Sequence, residues 1–154
     1  MMTNKAYLSQ LTALERRITY HRERLGRLRR ELDAIPSPWG EHYSGPVNPD
    51  APYVRLIERI EILAQELAEE ERLYDRLRLQ IEETVSRLPD QRMSLVLLYR
   101  FVENKTFLQI GDLLYMNKGT AKRWEDRALA CLELPEDPVC IFSGNSATAA
   151  TGAC

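Results

Sequence analysis

Between residues 5 and 35 large side chains return at alternating steps of four and three: Tyr7, Leu11, Leu14, Ile18, His21, Leu25, Leu28, Leu32 and Ile35. That heptad spacing gathers them on one side of a helix and predicts a coiled-coil seam. Residues 53 to 88 repeat the pattern through Leu56, Ile60, Leu63, Leu67, Glu70, Tyr74, Leu77, Ile81 and Leu88. At about 1.5 Å of rise per residue the two helices are roughly 45 to 55 Å long and well matched. Between them PSPWGEHYSGPVNPDAP, residues 36–52, is rich in Pro and Gly and can continue neither helix. The spacing therefore predicts a long antiparallel helical hairpin over 5–88. The first helix holds eight Lys and Arg against four acids, net +4, and the second six against nine, net −3. Opposite signs favour lateral pairing, within one chain or between two as a homodimer.

After the hairpin the helices shorten. In LPDQRMSLVLLYRFVENK a turn at Leu88 to Asp90 leads into an amphipathic helix with Met93, Val96, Leu97 and Phe101 inward, ending at Asn104. TFLQIGDLLYMNKGTAKRWEDRALACL then reads as two short helices around a tight turn. Thr106 and Gln109 make a T-x-x-Q capping box, in which each side chain satisfies an orphan amide. Phe107, Ile110, Leu113 and Leu114 form the inner stripe, while Gln109 and Asp112 face outward. Gly111 falls where such a pair approaches most closely, so a side chain larger than a methyl would push it apart. Tyr115 and Met116 end the first helix, with Met116 plugging the small core. Asn117 is a good N-cap for the second, and leaves Lys118, Gly119 and Thr120 in a first turn whose free amides and positive dipole end favour phosphate. Ala121, Trp124, Ala128, Leu129 and Leu132 form the buried stripe, with Lys118, Lys122, Arg123 and Arg127 on or near the opposite face. A helix with an exposed basic edge that begins at a tight turn suits docking in the major groove of double-stranded DNA.

The reading is an all-α protein: hairpin 5–88 with loop 36–52, a compact three-helix helix-turn-helix domain at 89–134, and a poorly ordered tail at 135–154 with Val139 to Phe142 docked. Composition changes little. Of 154 residues, 44% are hydrophobic and 29% charged, ordinary values for a chain that can bury a core. MMTNKAYLSQ has no apolar signal region and the longest apolar run, Leu95 to Tyr99, is too short to span a bilayer, so a cytoplasmic protein with no membrane partner is expected. Cys131, Cys140 and Cys154 offer no C-x-x-C pair, so neither a disulfide framework nor a zinc finger is suggested, and Cys131 is expected to pack beside the last helix. His21 lies on the seam as a packed or partly solvated imidazole, and His42 lies in the loop. The run Glu69 to Glu71 reads as a solvated face with no Glu-x-x-His spacing, and no Gly-rich phosphate loop is present. No enzyme, catalytic residue, metal site or cofactor is expected.

The stretch from Leu88 to Leu132 resembles region 4 of the sigma-70 family, which reads the promoter's −35 element. The resemblance rests on Leu88-Pro89, Leu98-Tyr99-Arg100-Phe101, Thr106, Ile110-Gly111, Leu114, Met116, Lys118, Lys122 and the closing Ala128-Leu129 with Leu132. More broadly, residues 7 to 138 are similar to small phage and prophage proteins thought to be sigma-like late-gene transcription regulators. The resemblance implies DNA contacts at Lys118, Gly119, Lys122 and Arg123, to which position adds Asn117, Thr120 and Arg127. It also implies RNA polymerase as a partner, through the flap of its large subunit. Two positions depart from the pattern: Gly119 replaces a charged or polar side chain, and Tyr115 replaces a small or polar turn residue.

Net charge is −2, yet residues 117 to 127 hold four cations and two anions. So small a patch predicts weak binding by the domain alone and points to help from a partner. No segment matches the family's −10-reading region, so an activator or accessory regulator fits better than a whole sigma factor. Two other classes share the pattern: a small terminase subunit, which would form rings near a packaging motor, and a protein-binding adaptor built on a helix-turn-helix.

Overall fold

The computed structural model describes residues 2–35 and 51–141, and every regular element among them is helical. In order these are α1 (Asn4–Ala34), α2 (Pro52–Ser86), α3 (Gln91–Leu97), a π-helical turn (Leu98–Val102), α4 (Phe107–Leu114) and α5 (Lys118–Cys131). The predicted all-α architecture, a helical hairpin followed by a helix-turn-helix, is what forms. Of the expected loop 36–52, residues 36–50 lie outside the described residues and Pro52 already begins α2; the residues beyond Ile141, including Phe142, also lie outside them. The chain divides into two compact units, one made of the chain up to Glu15 with that from Leu73 onward, the other of Arg16–Arg72.

In the first unit the seam becomes a core. Tyr7, Leu8, Leu11 and Leu14 of α1 and Leu77, Ile81 and Val85 of α2 are almost wholly buried, each large aliphatic side chain contributing about 2 kcal/mol by leaving water. The Tyr7 hydroxyl donates to Gln80 Oε1 at 2.7 Å. Its burial, with the negative charge of Glu83 adding to the effect and a hydrogen bond with Thr84 opposing it, pushes its pKa from 10.0 up to about 12. The unfolded chain loses this proton near pH 10 while the folded chain keeps it. Stability is therefore expected to be intact below pH 10 and to fall as pH rises through 12. Thermal melts across that window should show the fall, and Tyr7→Phe should flatten it.

Two glutamines hold the segment after α5 by its backbone. Gln10, only 3% exposed, donates to the Val139 carbonyl at 3.0 Å and accepts from the Ile141 amide at 3.0 Å. Gln80 donates to the Asp137 carbonyl at 2.9 Å and accepts from the Val139 amide at 2.8 Å. Ile141 is buried as a result. Asn4 gives its amide group to the carbonyls of Leu129 and Leu132 at 2.8 and 2.7 Å, serving the open C-terminal end of α5. Cys131, the last residue of α5, is exposed and free rather than packed. Cys140 is disulfide-bonded, where the cysteine spacing suggested no disulfide framework.

In the second unit Ile18, Leu25, Leu56, Leu63 and Leu67 are buried along the seam. The two polar seam positions meet: His21 Nδ1 lies 2.6 Å from Glu70 Oε1, and Arg17 Nε lies 3.1 Å from Glu70 Oε2. Arg22 pairs with Glu71 at 3.0 Å. Acids of α2 thus neutralise the cations that α1 turns toward it, as the opposite net charges of the two helices imply. No helix among the described residues is long and apolar enough to cross a membrane.

Candidate nucleic-acid interface

Asp90 starts α3 by accepting from the Arg92 amide at 2.8 Å, and Ser94 Oγ donates to the Val85 carbonyl at 2.9 Å, tying α3 to the end of α2. The helix widens into the π-turn, whose last amide, Glu103, reaches back to the Leu98 carbonyl at 3.1 Å. Asn104, with φ of 57°, reverses the chain, a conformation that asparagine tolerates. The helix thus ends at Val102, two residues before the expected Asn104, through a wider final turn than the pattern showed.

The capping box opens α4: the Gln109 amide donates to Thr106 Oγ1 at 3.2 Å, and the Thr106 amide to Gln109 Oε1 at 2.9 Å. Tyr115, 97% exposed, ends α4 in the left-handed region, φ 56° and ψ 46°. Gly111 admits the return of the chain. A Cβ there would stand 2.4 Å from the Met116 carbonyl oxygen, so even a methyl is excluded, a tighter limit than the sequence suggested. The close approach is between α4 and the turn backbone rather than between two helices.

Asn117 Oδ1 accepts the Thr120 amide at 2.7 Å and caps α5. Val96, Ile110 and Ala121 form a buried cluster, with Tyr99, Phe107, Leu114, Met116 and Trp124 packed against it. Leu113, expected on the inner stripe, is 46% exposed. Its angular position lies between the Ile110 line and solvent, and α4 ends one residue later, so no neighbour covers it. The larger surprise is Glu125, 2% exposed on the buried stripe, four residues after Ala121.

The predicted contact residues line the start and outer side of α5. Lys118, Gly119, Lys122, Arg123 and Arg127 are exposed, and Thr120 is half-buried. Asn117 is exposed but commits its oxygen to the cap, leaving its amide nitrogen for outside contacts. Lys122 is not a lone cation: its Nζ is 3.7 Å from Glu125 Oε2 and 3.6 Å from Asp126 Oδ1. At Gly119 an added Cβ would meet only Asn117 Oδ1 at 3.5 Å. The fold does not demand glycine there, and the bare backbone leaves the start of α5 open to close approach.

Two further arginines, absent from the sequence expectation, join these cations through aromatic rings. Arg92 lies 4.6 Å from the centre of the Trp124 ring and Arg127 5.5 Å from it. Arg100 lies 4.2 Å from the centre of the Phe107 ring and Lys122 Nζ 5.4 Å from it. Each ring thus holds one cation from α5 and one from α3 or the π-turn, which fixes long flexible side chains in place. Arg100 also donates to the Lys105 carbonyl at 3.2 Å. Residue order carries no signal for them, since only tertiary packing brings them to α5. Among the described residues no group of His, Cys, Asp or Glu is arranged to hold a metal ion.

Two helices joined by a tight left-handed turn, the second capped at its start and exposing cations, define a DNA-binding helix-turn-helix. Residues 83–133 match the family model described as Sigma-70, region 4, and this part of the chain is a sigma-70 region 4-like helix-turn-helix. No curated protein and no solved structure matches the chain.

Proposed function

We propose that the protein is a transcription regulator that docks α5 in the major groove of promoter DNA and acts together with RNA polymerase at phage or prophage promoters. One observation carries this reading: Lys118, Lys122, Arg123 and Arg127 are all exposed on α5 while Ala121, Glu125 and Ala128 of the same helix are buried. The reading head therefore shows its cations outward from a rigid support. Lys118 and the first-turn amides would take a backbone phosphate, Lys122 and Arg123 would reach base edges or phosphates, and Arg127, held by Trp124, would contact the flanking strand. Thr120 and the Asn117 amide would add polar contacts at the helix start.

So few cations support a small number of phosphate contacts, hence weak, salt-sensitive binding by the protein alone. Binding of promoter fragments at low salt, with and without RNA polymerase, tests both halves. The expected result is a weak complex alone and a tighter one with polymerase. A polymerase-independent affinity would remove the partner from the proposal, and failure to bind any promoter fragment at low salt in either condition would remove the DNA assignment.

A further inference from the structure

From Arg16 to Arg30 the chain carries seven arginines, no lysine and a single carboxylate, Glu23. Arg17 and Arg22 are spent on Glu70 and Glu71 of α2. The remaining five, Arg16, Arg24, Arg27, Arg29 and Arg30, are exposed and make no ion pair among the described residues. At 3.6 residues per turn, Arg16, Arg27 and Arg30 fall within about 60° of one another on the side of α1 opposite its buried seam, with Arg24 at the flank. Gly26 sits beside them in mid-helix, where glycine is disfavoured, and nothing packs against it except Arg30 Nη1, 3.6 Å from where a Cβ would be. A shallow hollow of about 450 Å³ results, lined by Arg22, Glu23, Gly26, Arg27 and Arg30.

We infer that this outer face of α1 is a second nucleic-acid-binding surface, which takes the phosphate backbone of duplex DNA independently of the helix-turn-helix. The inference rests on the reading that the chain binds DNA. Guanidinium groups suit phosphate because their planar donors pair with two oxygens at once, and Arg16, Arg24, Arg27 and Arg30 outnumber the two exposed carboxylates of this face, Glu23 and Glu31, leaving an excess of positive charge that attracts a polyanion. A membrane surface is the poorer fit, since Tyr20 is the one large exposed apolar side chain of α1 among the described residues and insertion requires an apolar face. A second copy is poorer as well. The exposed side of α2 between Arg55 and Arg72 mixes Glu58, Glu61, Glu66 and Glu69 with Arg55, Arg59 and Arg72, which is close to neutral.

The test is the salt dependence of affinity for a mixed-sequence duplex, measured on the full chain. Arg24→Gln/Arg27→Gln/Arg30→Gln is expected to lower the slope of log K against log salt by about 2 to 3, at about 0.9 per phosphate contact, with an unchanged thermal melt. Should the triple variant melt early, Arg27→Gln alone should lower the slope by about 0.9, and the Arg-to-Lys triple should retain most of it. An unchanged slope in these variants, alongside weakened binding by Arg123→Ala, would overturn the inference and leave the DNA reading standing. If no variant on either surface changes binding, both fail. An unchanged slope with lost binding to phosphatidylserine vesicles, or with altered self-association, would reassign the face to a membrane or a second copy and overturn the inference.

Discussion

Arg123→Ala is expected to weaken duplex binding by about 1 to 3 kcal/mol, roughly fivefold to 150-fold, while leaving the thermal melt where it was. Arg123 is exposed on α5, so its removal opens no cavity and strands no buried group. Fluorescence anisotropy with a promoter fragment, beside a circular-dichroism melt, checks both halves. Lys122→Ala is a less clean probe of the same surface. Lys122 is the ion partner of Glu125, a carboxylate only 2% exposed, and a buried charge without its partner is costly. A Lys122→Ala variant should therefore lose stability as well as affinity. Equal affinities for Arg123→Ala and the parent protein at low salt would count against α5 as the reading helix.

The second large effect concerns a single methyl group. Gly111→Ala is expected to destabilise the helix-turn-helix by roughly 3 kcal/mol, the upper end for an overpacked core. The new Cβ would stand 2.4 Å from the Met116 carbonyl oxygen, a backbone atom that cannot swing aside as a side-chain tip would. The same carbonyl belongs to the turn that delivers Asn117 to its cap, and the Met116 amide is itself bonded to the Gly111 carbonyl at 2.9 Å. Pushing the turn away therefore breaks the return of the chain and the start of α5 together. Gly119→Ala is the control, since its Cβ meets an ordinary contact at 3.5 Å. A melting temperature for Gly111→Ala within error of the parent would show that the turn yields more than its geometry implies.

Much of this architecture was legible from residue order. The heptad positions Tyr7, Leu11, Leu14, Ile18 and Leu25 are buried, because a stripe of large apolar groups has one low-energy side to face. The Thr106–Gln109 box and the Asn117 cap formed as read, since both are local bonds spanning three residues. What escaped was set by residues far apart in sequence. Glu125 sits at a core spacing, but its type argued for the surface, and burial shows only once α5 is packed. Gln10 and Gln80 look like ordinary polar positions on their helices until residues 137–141 arrive. Arg92 and Arg100 carried no groove signature because their approach to α5 runs through Trp124 and Phe107. Leu113 failed the other way: a helix stripe predicts which side is apolar, not whether a neighbour reaches its edge.

Asp137, Val139 and Ile141 are gripped at alternate residues, each through its main chain, by the side-chain amides of Gln10 and Gln80. Pro138 falls between two grips, where its missing N–H is not called upon. These four bonds thus ignore side-chain identity, proline at 139 or 141 excepted, and are strict about count. Exchanges at the exposed positions leave the four bonds intact, whereas adding or deleting one residue turns the main-chain groups of alternate residues away from both glutamines, and Ile141 is held by its burial besides. Drift here is free in letter where the side chain faces water and frozen in length.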